Sequence, residues 1–531
     1  MPDKIPEPTI SFLKYDGLNL REVLGLALPP FSSPGVHQQL LYVQAYAKDL
    51  DCKSIAIEFP YVDRDHIEDH SIFYSKSLFP HKNSCRRIHF FSIGVDEVQA
   101  ELDAIVQKGA KEGREAYDSA CKDLSAKRYL GFCVIKPLDG TPIGRTVLKP
   151  YPDVPREPER AKDFRRNFRC SQREYVAHFL GVELRVKGLA FQQQDVGVSA
   201  CATTAIWCAL QSFRNHEDLA PATPAQITSL ASRYSLPFGR AMPSEGLSLD
   251  QMCQAVQALG VSPHLFRVDK DIETARGILA SAIASDFAPI VVMRHGDLRH
   301  AVTVAGMKVR ESPVGALVSP RAPIPPGTKP PELRDEAGDL LGLYIHDDRR
   351  GPYLRTELLP KDKKPTLNIS TRGGSGSEGW ELTHILLPMH NKIRLSFGNL
   401  REFALASAGH VHKDGQIINR LLEGKIADSS ITFSTSIVRG HKYIESRLMN
   451  HGSPVQAIRL CRAIPMARYL GVVRLSASFF DRMDLLVDTT STLRNIHCLG
   501  VVVQNPMKTP LTRPIADSLA KQCSCPIVYA T

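Results

Sequence analysis

Cys201, His300 and Asp347 have the types, order and local settings that acyl transfer through a thiol requires. Cys201 lies in the stretch FQQQDVGVSACATTAIWCALQSF, residues 191–213, where Ala205, Ile206, Leu210 and Phe213 predict an apolar helix that begins at the cysteine. A cysteine in a first helical turn faces backbone N–H groups without intrahelical partners and the positive end of the helix dipole. Both favour the thiolate, the nucleophilic form. His300 heads the apolar strand of RHAVTVAGM, and Asp347 ends that of LYIHDDRRGPY. An imidazole can move the proton and a carboxylate can orient the imidazole. An amide upstream of the thiol can help bind an oxyanion, and Gln192, Gln193 and Gln194 lie there.

Each residue has a plainer reading. Free cysteine is commonly a small buried residue, and Cys208, two turns along the predicted helix, reads as core. His300 alone suits a strand edge, as His295 suits the turn of MRHGD. Asp347, or its neighbour Asp348, suits the opening of the turn DDRRG. The combination, glutamines before the thiol and a histidine and carboxylate on later strands, favours catalysis.

The elements that must hold these residues are legible in outline. Over residues 1–150 the pattern predicts a mixed α/β region: a helix over 38–50, strands over 54–59 and 88–93, one long amphipathic helix over 98–124, and a buried strand over 129–136. A proline- and arginine-rich connector over 150–166 follows. Residues 175–360 carry the chemistry. After the Cys201 helix, Pro224 marks a first helical position. Ser248 and Gln251 form a capping box over SLDQMCQAVQALG, with Gly260 as its stop. A third helix spans 271–285, and strands follow over 289–293, 301–309 and 343–345. Helices first and strands later make this an α+β arrangement. Residues 311–339, rich in proline, are expected to form a mobile insertion near the cleft, either a solvent-exposed hairpin extension or a substrate-gating flap. Past the glycine-rich break at 371–379, residues 380–531 predict a C-terminal α/β accessory domain, with strands over 383–387, 431–437, 470–475 and 499–503.

Bulk composition narrows the function classes. The chain has 531 residues, 43% hydrophobic and 23% charged, enough for two or three packed domains. Its formal net charge of +10 is dispersed over 66 basic and 56 acidic residues. The densest basic stretch, residues 156–173, also holds acids and lacks the interleaved aromatics of an RNA-binding sheet, so a solvated connector is favoured over nucleic-acid binding. The N-terminal residues show no signal-peptide pattern and no apolar run reaches membrane-spanning length, so the expected compartment is cytoplasmic, with its twelve cysteines reduced. No CxxC pair occurs; Cys523-Ser-Cys525 has no matching second pair, so no metal or other cofactor is expected.

With these residues in place, the stretch from Gln192 to Asp347 resembles the papain-like cysteine peptidase superfamily. It is most similar there to bacterial peptidases that trim double-glycine leader peptides. The resemblance is carried by Gln194-Asp195, Ala200-Cys201-Ala202, the block GLSLDQMCQAVQALGV, His300-Ala301-Val302 and Ile345-His346-Asp347. It implies a papain-like fold, a helical half plus an antiparallel sheet half. It also implies Cys201 as nucleophile, His300 as general base and acid, Asp347 as orienting residue and Gln194 at the oxyanion hole, with a protein or peptide substrate. Gln192 or Gln193 can take the amide role instead, and Asp348 that of Asp347. Rival readings are amide transfer or deamidation by the same residues, a non-catalytic binding module on the same scaffold, and nucleic-acid binding through the basic connector.

Overall fold

The computed structural model describes residues 9–15, 38–78, 81–138, 140–150, 167–195, 200–213, 221–233, 246–310, 315–318, 332–362, 364–370, 377–421, 430–445, 454–491, 496–504 and 511–530. The connector over 151–166, the glycines at 373 and 374 and the middle of the proline-rich insertion, 319–331, lie outside these residues.

Six antiparallel strands close on themselves at the centre of the molecule. In order they are Ile290–His295, Leu298–Val309, Leu340–Asp347, Gly351–Lys361, Lys364–Ser370 and Ser377–His390, and the last pairs back onto the first. Closure leaves no free edge within the ring. Val261–Arg267 and Asn167–Cys170 attach outside it, to the last and second strands. The chain is thus mixed α+β with antiparallel sheets, as the sequence predicts at that level. The ring, however, takes in the segment around 383–387, which sequence reading assigned to the C-terminal region. That segment is part of Ser377–His390 and completes the barrel. Its alternation is masked because the second half of the strand is buried at every residue.

The Cys201–Phe213 helix crosses the barrel strand Leu298–Val309. Every residue after Cys201 is buried and the helix carries no charge, as a helix packed on all sides must be. Thr303 Oγ1 donates to the carbonyl of Ala205 at 2.7 Å and pins helix to strand. The neighbouring helices Pro224–Ala231 and Leu249–Ala258 begin with full capping boxes, at Thr223/Gln226 and Ser248/Gln251. Asp271 caps the third, Ile272–Ala284.

The N-terminal region is a five-stranded antiparallel sheet. Its expected single helix over 98–124 is two, Val95–Glu112 and Arg114–Lys127. They are separated by Gly113 at φ +89°, a conformation other residues resist. This region also supports the end of the barrel where Asp347 lies. Gly351, in the turn after Asp347, sits at φ +151°, and a Cβ there would come within 2.2 Å of the ring of Tyr42 on the helix Gln38–Asp49. Tyr46 of the same helix stacks on Tyr353, ring centroids 5.7 Å apart. The Tyr353 hydroxyl accepts from the Leu189 amide at 2.7 Å.

The C-terminal region is built on a seven-stranded sheet, and here the insertion departs from expectation. Its described ends are strands, Ala316–Val318 and Leu333–Asp335, which join that sheet through a parallel pairing of Leu333–Asp335 with Ile431–Arg439. Leu333 and Asp335 are buried, and the Arg401 guanidinium meets Asp335 at 2.6 Å. The proline-based argument for an unpaired mobile loop therefore fails at both described ends, because neither of these short strands contains a proline. The described ends also lie away from the cleft that the sequence reading placed beside the insertion. The insertion leaves from Val309 and returns at Leu340, which pair with each other at the end of the hairpin remote from His300 and Asp347. Nine residues of ladder, about 30 Å, lie between His300 and that end.

The tight Gly351–Tyr42 contact yields a direct expectation. Gly351→Ala should lower stability by about 2 kcal/mol or more, from overlap and backbone strain together. Thermal unfolding of the two purified proteins measures it; an unchanged midpoint would mean that the turn after Asp347 does not depend on the N-terminal helix.

Candidate active site

Cys201 occupies the first position of its helix, because the first intrahelical bond runs from the Thr204 amide to the Ala200 carbonyl at 3.1 Å. Its thiol is partly exposed, whereas Cys208 is buried and burial pushes that thiol up, out of the reactive range. Sequence reading assigned Cys208 to the core, and it lies there.

His300 stands on the strand that the cysteine helix crosses, 3% exposed. Its Nε2 lies 3.1 Å from Asp347 Oδ1, and 3.6 Å from Asp348 Oδ1. Nδ1 makes no hydrogen bond of ordinary geometry among the described residues, and the Cys201 thiol is near enough to the ring to favour the imidazolium. Burial opposes the charge on His300, but the bond to Asp347, the Cys201 thiol and the two carboxylates together outweigh it, and its pKa is raised to about 10. At neutral pH His300 is therefore held as the imidazolium.

Of the two acids, Asp347 makes the hydrogen bond. It is also the better held: its Oδ1 accepts from the Arg349 amide at 2.9 Å and its Oδ2 lies 3.8 Å from Arg350 Nε. Burial pushes against its charge, yet the bond to His300 and its neighbours keep its carboxyl below the ordinary value. Asp348 is pushed up to about 6, first by burial and also by the Asp347 charge. His346, between the strand's two outer residues Ile345 and Asp347, faces the other way, towards Phe191 and Tyr353. Burial holds it down to about 3, so it stays neutral.

A further set of residues supports the pair, and sequence reading missed it. Trp380, on the last barrel strand, places its ring 5.9 Å from that of His300. Its indole N–H donates to Glu378 at 3.3 Å, and Glu378 binds Arg350 at 2.8 Å, which in turn faces Asp347. The chain Trp380–Glu378–Arg350–Asp347 links two strands distant in sequence. The only signal available was a tryptophan in a segment read as belonging elsewhere.

The glutamines divide by role. Gln193 is committed to the N-terminal sheet: its side chain accepts from the Ile143 amide at 3.2 Å and donates to the Gly140 carbonyl at 3.3 Å. The backbone of Gln192 lies against the Cys208 thiol. Cys208 is seven residues past Cys201, about 10 Å down the helix. Gln194 is nearest to Cys201 along the chain, with its Oε1 buried and without a hydrogen-bond partner among the described residues. No hydrogen bond joins Gln194 to Cys201 among the described residues, and residues 196–199 between them lie outside that set. Asp195 anchors the segment on Lys136, 3.6 Å away, and on Tyr74.

Beside that anchor lies a buried polar cluster on the helix Arg64–Ile72, including Asp65, His66 and Asp69. Asp69 Oδ1 accepts from the Ala225 amide at 3.1 Å, tying the N-terminal region to the second helix of the chemistry-bearing region. Burial raises the Asp69 carboxyl to about 8.

Ligand atoms of His300, Asp347 and Asp348 lie within 4.8 Å of one another, so the three can in principle surround a cation. A cation there would displace the His300–Asp347 bond and face the Arg350 guanidinium, both unfavourable. The arrangement suits proton transfer better.

Two titrations test this electrostatic picture. With a raised His300 pKa, the pair's contribution to stability is complete below about pH 6.5 and lost as pH rises through about 10. A rate that needs the imidazolium should therefore hold across neutral pH and fall on an alkaline limb, and Asp347→Asn should move that limb towards neutrality. An unmoved limb would detach Asp347 from His300. For Asp69, the native state keeps a proton that the unfolded chain loses, so stability falls as pH rises between the ordinary carboxylate range and about 8. Asp69→Asn should flatten that slope, by on the order of a few kcal/mol across the window, in denaturant titrations at several pH values. No protein-family model matches the chain, and comparison with curated proteins finds no similar one.

Proposed function

We propose that the chain is a thiol hydrolase of the papain-like type that cleaves a peptide or isopeptide bond in a protein or peptide substrate. The observation that carries this reading is the buried His300–Asp347 hydrogen bond, at 3.1 Å, beside a partly exposed cysteine at the first position of a helix packed on the His300 strand. The remaining residues take roles from their positions. Cys201, as thiolate, attacks the carbonyl carbon. The oxyanion that forms is met by backbone N–H groups at the helix start and by the Gln194 amide. His300 gives its proton to the leaving amine, which departs and leaves an acyl-enzyme thioester. A water molecule then loses a proton to His300 and attacks the thioester, releasing the acid and restoring the Cys201 thiolate and the His300 imidazolium. Asp347 keeps Nε2 occupied so that Nδ1 serves the thiol.

Two further features suit the chemistry. Trp380 covers the histidine and excludes water from the ion pair, which strengthens the electrostatics within. No helix among the described residues is long and apolar enough to cross a membrane, and we place the activity in the cytoplasm, where a free thiol persists.

Cys201→Ala should abolish turnover with the fold retained, and His300→Ala should lose about as much rate. The double variant should lose little more, because residues acting as one unit are non-additive. Asp347→Ala should cost less, and Asp348→Ala least. Iodoacetamide at neutral pH, followed by mass mapping, should label Cys201 ahead of the other cysteines. Wild-type hydrolysis by Cys201→Ala, or selective labelling elsewhere, removes the reading; a larger loss at Asp348 than at Asp347 transfers the orienting role by one residue.

A further inference from the structure

The sheet face that carries the cysteine helix extends past Cys201 and ends in two opposed arginines. Alternation along Leu298–Val309 puts Arg299, Ala301 and Thr303 on one face, and Thr303 is bonded to Ala205 of the helix. The pairing of this strand with Ile290–His295 sets Arg294 opposite Arg299, as it sets Ile290 opposite Thr303. From Ala205 the helix runs towards Phe287, just before Ile290, where the rings of Phe213 and Phe287 lie 6.4 Å apart. Its start therefore points the other way, towards Arg299. Cys201 stands about 6 Å before Ala205 along the helix, and Arg299 about 13 Å before Thr303 along the strand. The arginine is thus about 7 Å beyond the thiol, in front of the helix start.

This end of the face is short of negative charge. Arg294 meets Glu381 at 3.0 Å, and the same carboxylate meets Lys364 at 2.9 Å. The Arg299 side chain is exposed, and its guanidinium makes no ion pair or hydrogen bond among the described residues. One carboxylate therefore serves a group of three cations. Asp297, in the turn joining the two strands, makes no ion pair with either arginine among the described residues. Other acids at this end are committed: Asp347 and Asp348 are buried beside His300, and Glu378 holds Arg350. Like charges directly opposite on a sheet repel. A carboxylate set between the two guanidiniums would relieve that repulsion through charge-assisted hydrogen bonds.

Resting on the thiol-hydrolase reading of Cys201, we propose that Arg299 and Arg294 form a specificity-determining subsite for an acidic side chain of the substrate. An extended peptide advances about 3.3 Å per residue, so a reach of about 7 Å corresponds to an aspartate or glutamate about two or three residues from the scissile bond. Glu381 holds Arg294 in place and leaves Arg299 to the substrate. The contact acts on binding and orientation, while the bond-breaking steps remain with Cys201 and His300. Because both arginines stand at the solvent boundary, the preference weakens as salt rises.

The test uses the full chain and a random-sequence peptide library. Bonds cleaved by the wild type and not by Cys201→Ala should carry Asp or Glu within about three residues of the cut, on one side. For one such peptide, exchanging that acid for its amide should lower kcat/KM about tenfold at low salt and less at high salt. Arg299→Gln should equalise the acid and amide peptides. Arg299→Glu should prefer a peptide with lysine at the same place, a gain that a misfolded variant cannot show. Arg513→Gln, on the helix Thr512–Cys523, should keep the acidic preference, which separates the subsite from an effect of net charge. Equal kcat/KM for the two peptides in the wild type, or an acidic preference kept by Arg299→Gln, overturns the subsite while Cys201-dependent cleavage stands. Cleavage that survives Cys201→Ala overturns the hydrolase reading itself, and the subsite with it.

Discussion

A charged imidazole buried almost out of contact with water is the constraint around which the barrel end is arranged. An isolated ion at that depth would neutralise itself, since burial opposes charge. His300 keeps its proton because Asp347 is fixed 3.1 Å away, and Asp347 keeps its charge because the Arg349 amide and the Arg350 side chain face it. Each partner is in turn held by the next: Arg350 by Glu378, Glu378 by Trp380, and Trp380 against the histidine ring. The loop of contacts is closed, with its buried members His300 and Asp347 on the inside and the partly exposed Arg350 and Glu378 on the outside.

That dependence explains why the N-terminal region cannot be regarded as an appendage. The turn that delivers Asp347 rests on Tyr42, the Tyr353 hydroxyl caps the Leu189 amide just ahead of the glutamine segment, and Gln193 is bonded to the strand Ile143–Leu148. Asp195 and Asp69 tie further points of the same surface to the N-terminal residues. The approach to Cys201 is therefore shaped by residues from well before the cysteine helix.

How much of this was legible follows from the range over which each signal acts. Helix starts were readable because caps are local: Thr223, Ser248 and Asp271 each satisfy amides two or three residues on. Cys201, His300 and Asp347 stood out for the same reason, each lying at the boundary of an apolar run. What required distant pairing was hidden. Trp380 was assigned to another region because nothing local shows that Ser377–His390 bonds to Ile290–His295. The insertion was read from its prolines, while the three-residue strands flanking them carry no periodicity long enough to detect. The glutamines were indistinguishable by type, and only the hydrogen bonds of Gln193 set it apart.

The long hairpin of Leu298–Val309 and Leu340–Asp347 has two ends under different constraints. One end bears groups whose positions must hold to fractions of an ångström; the other ends in a proline-rich excursion grafted onto the C-terminal sheet. The nine residues of ladder between the two ends hold them apart, so a change where the hairpin joins the C-terminal sheet is distant from His300 and Asp347. The hairpin is thus one element with two attachments, its proximal end fixed by the buried His300–Asp347 pair and its distal end by the C-terminal sheet.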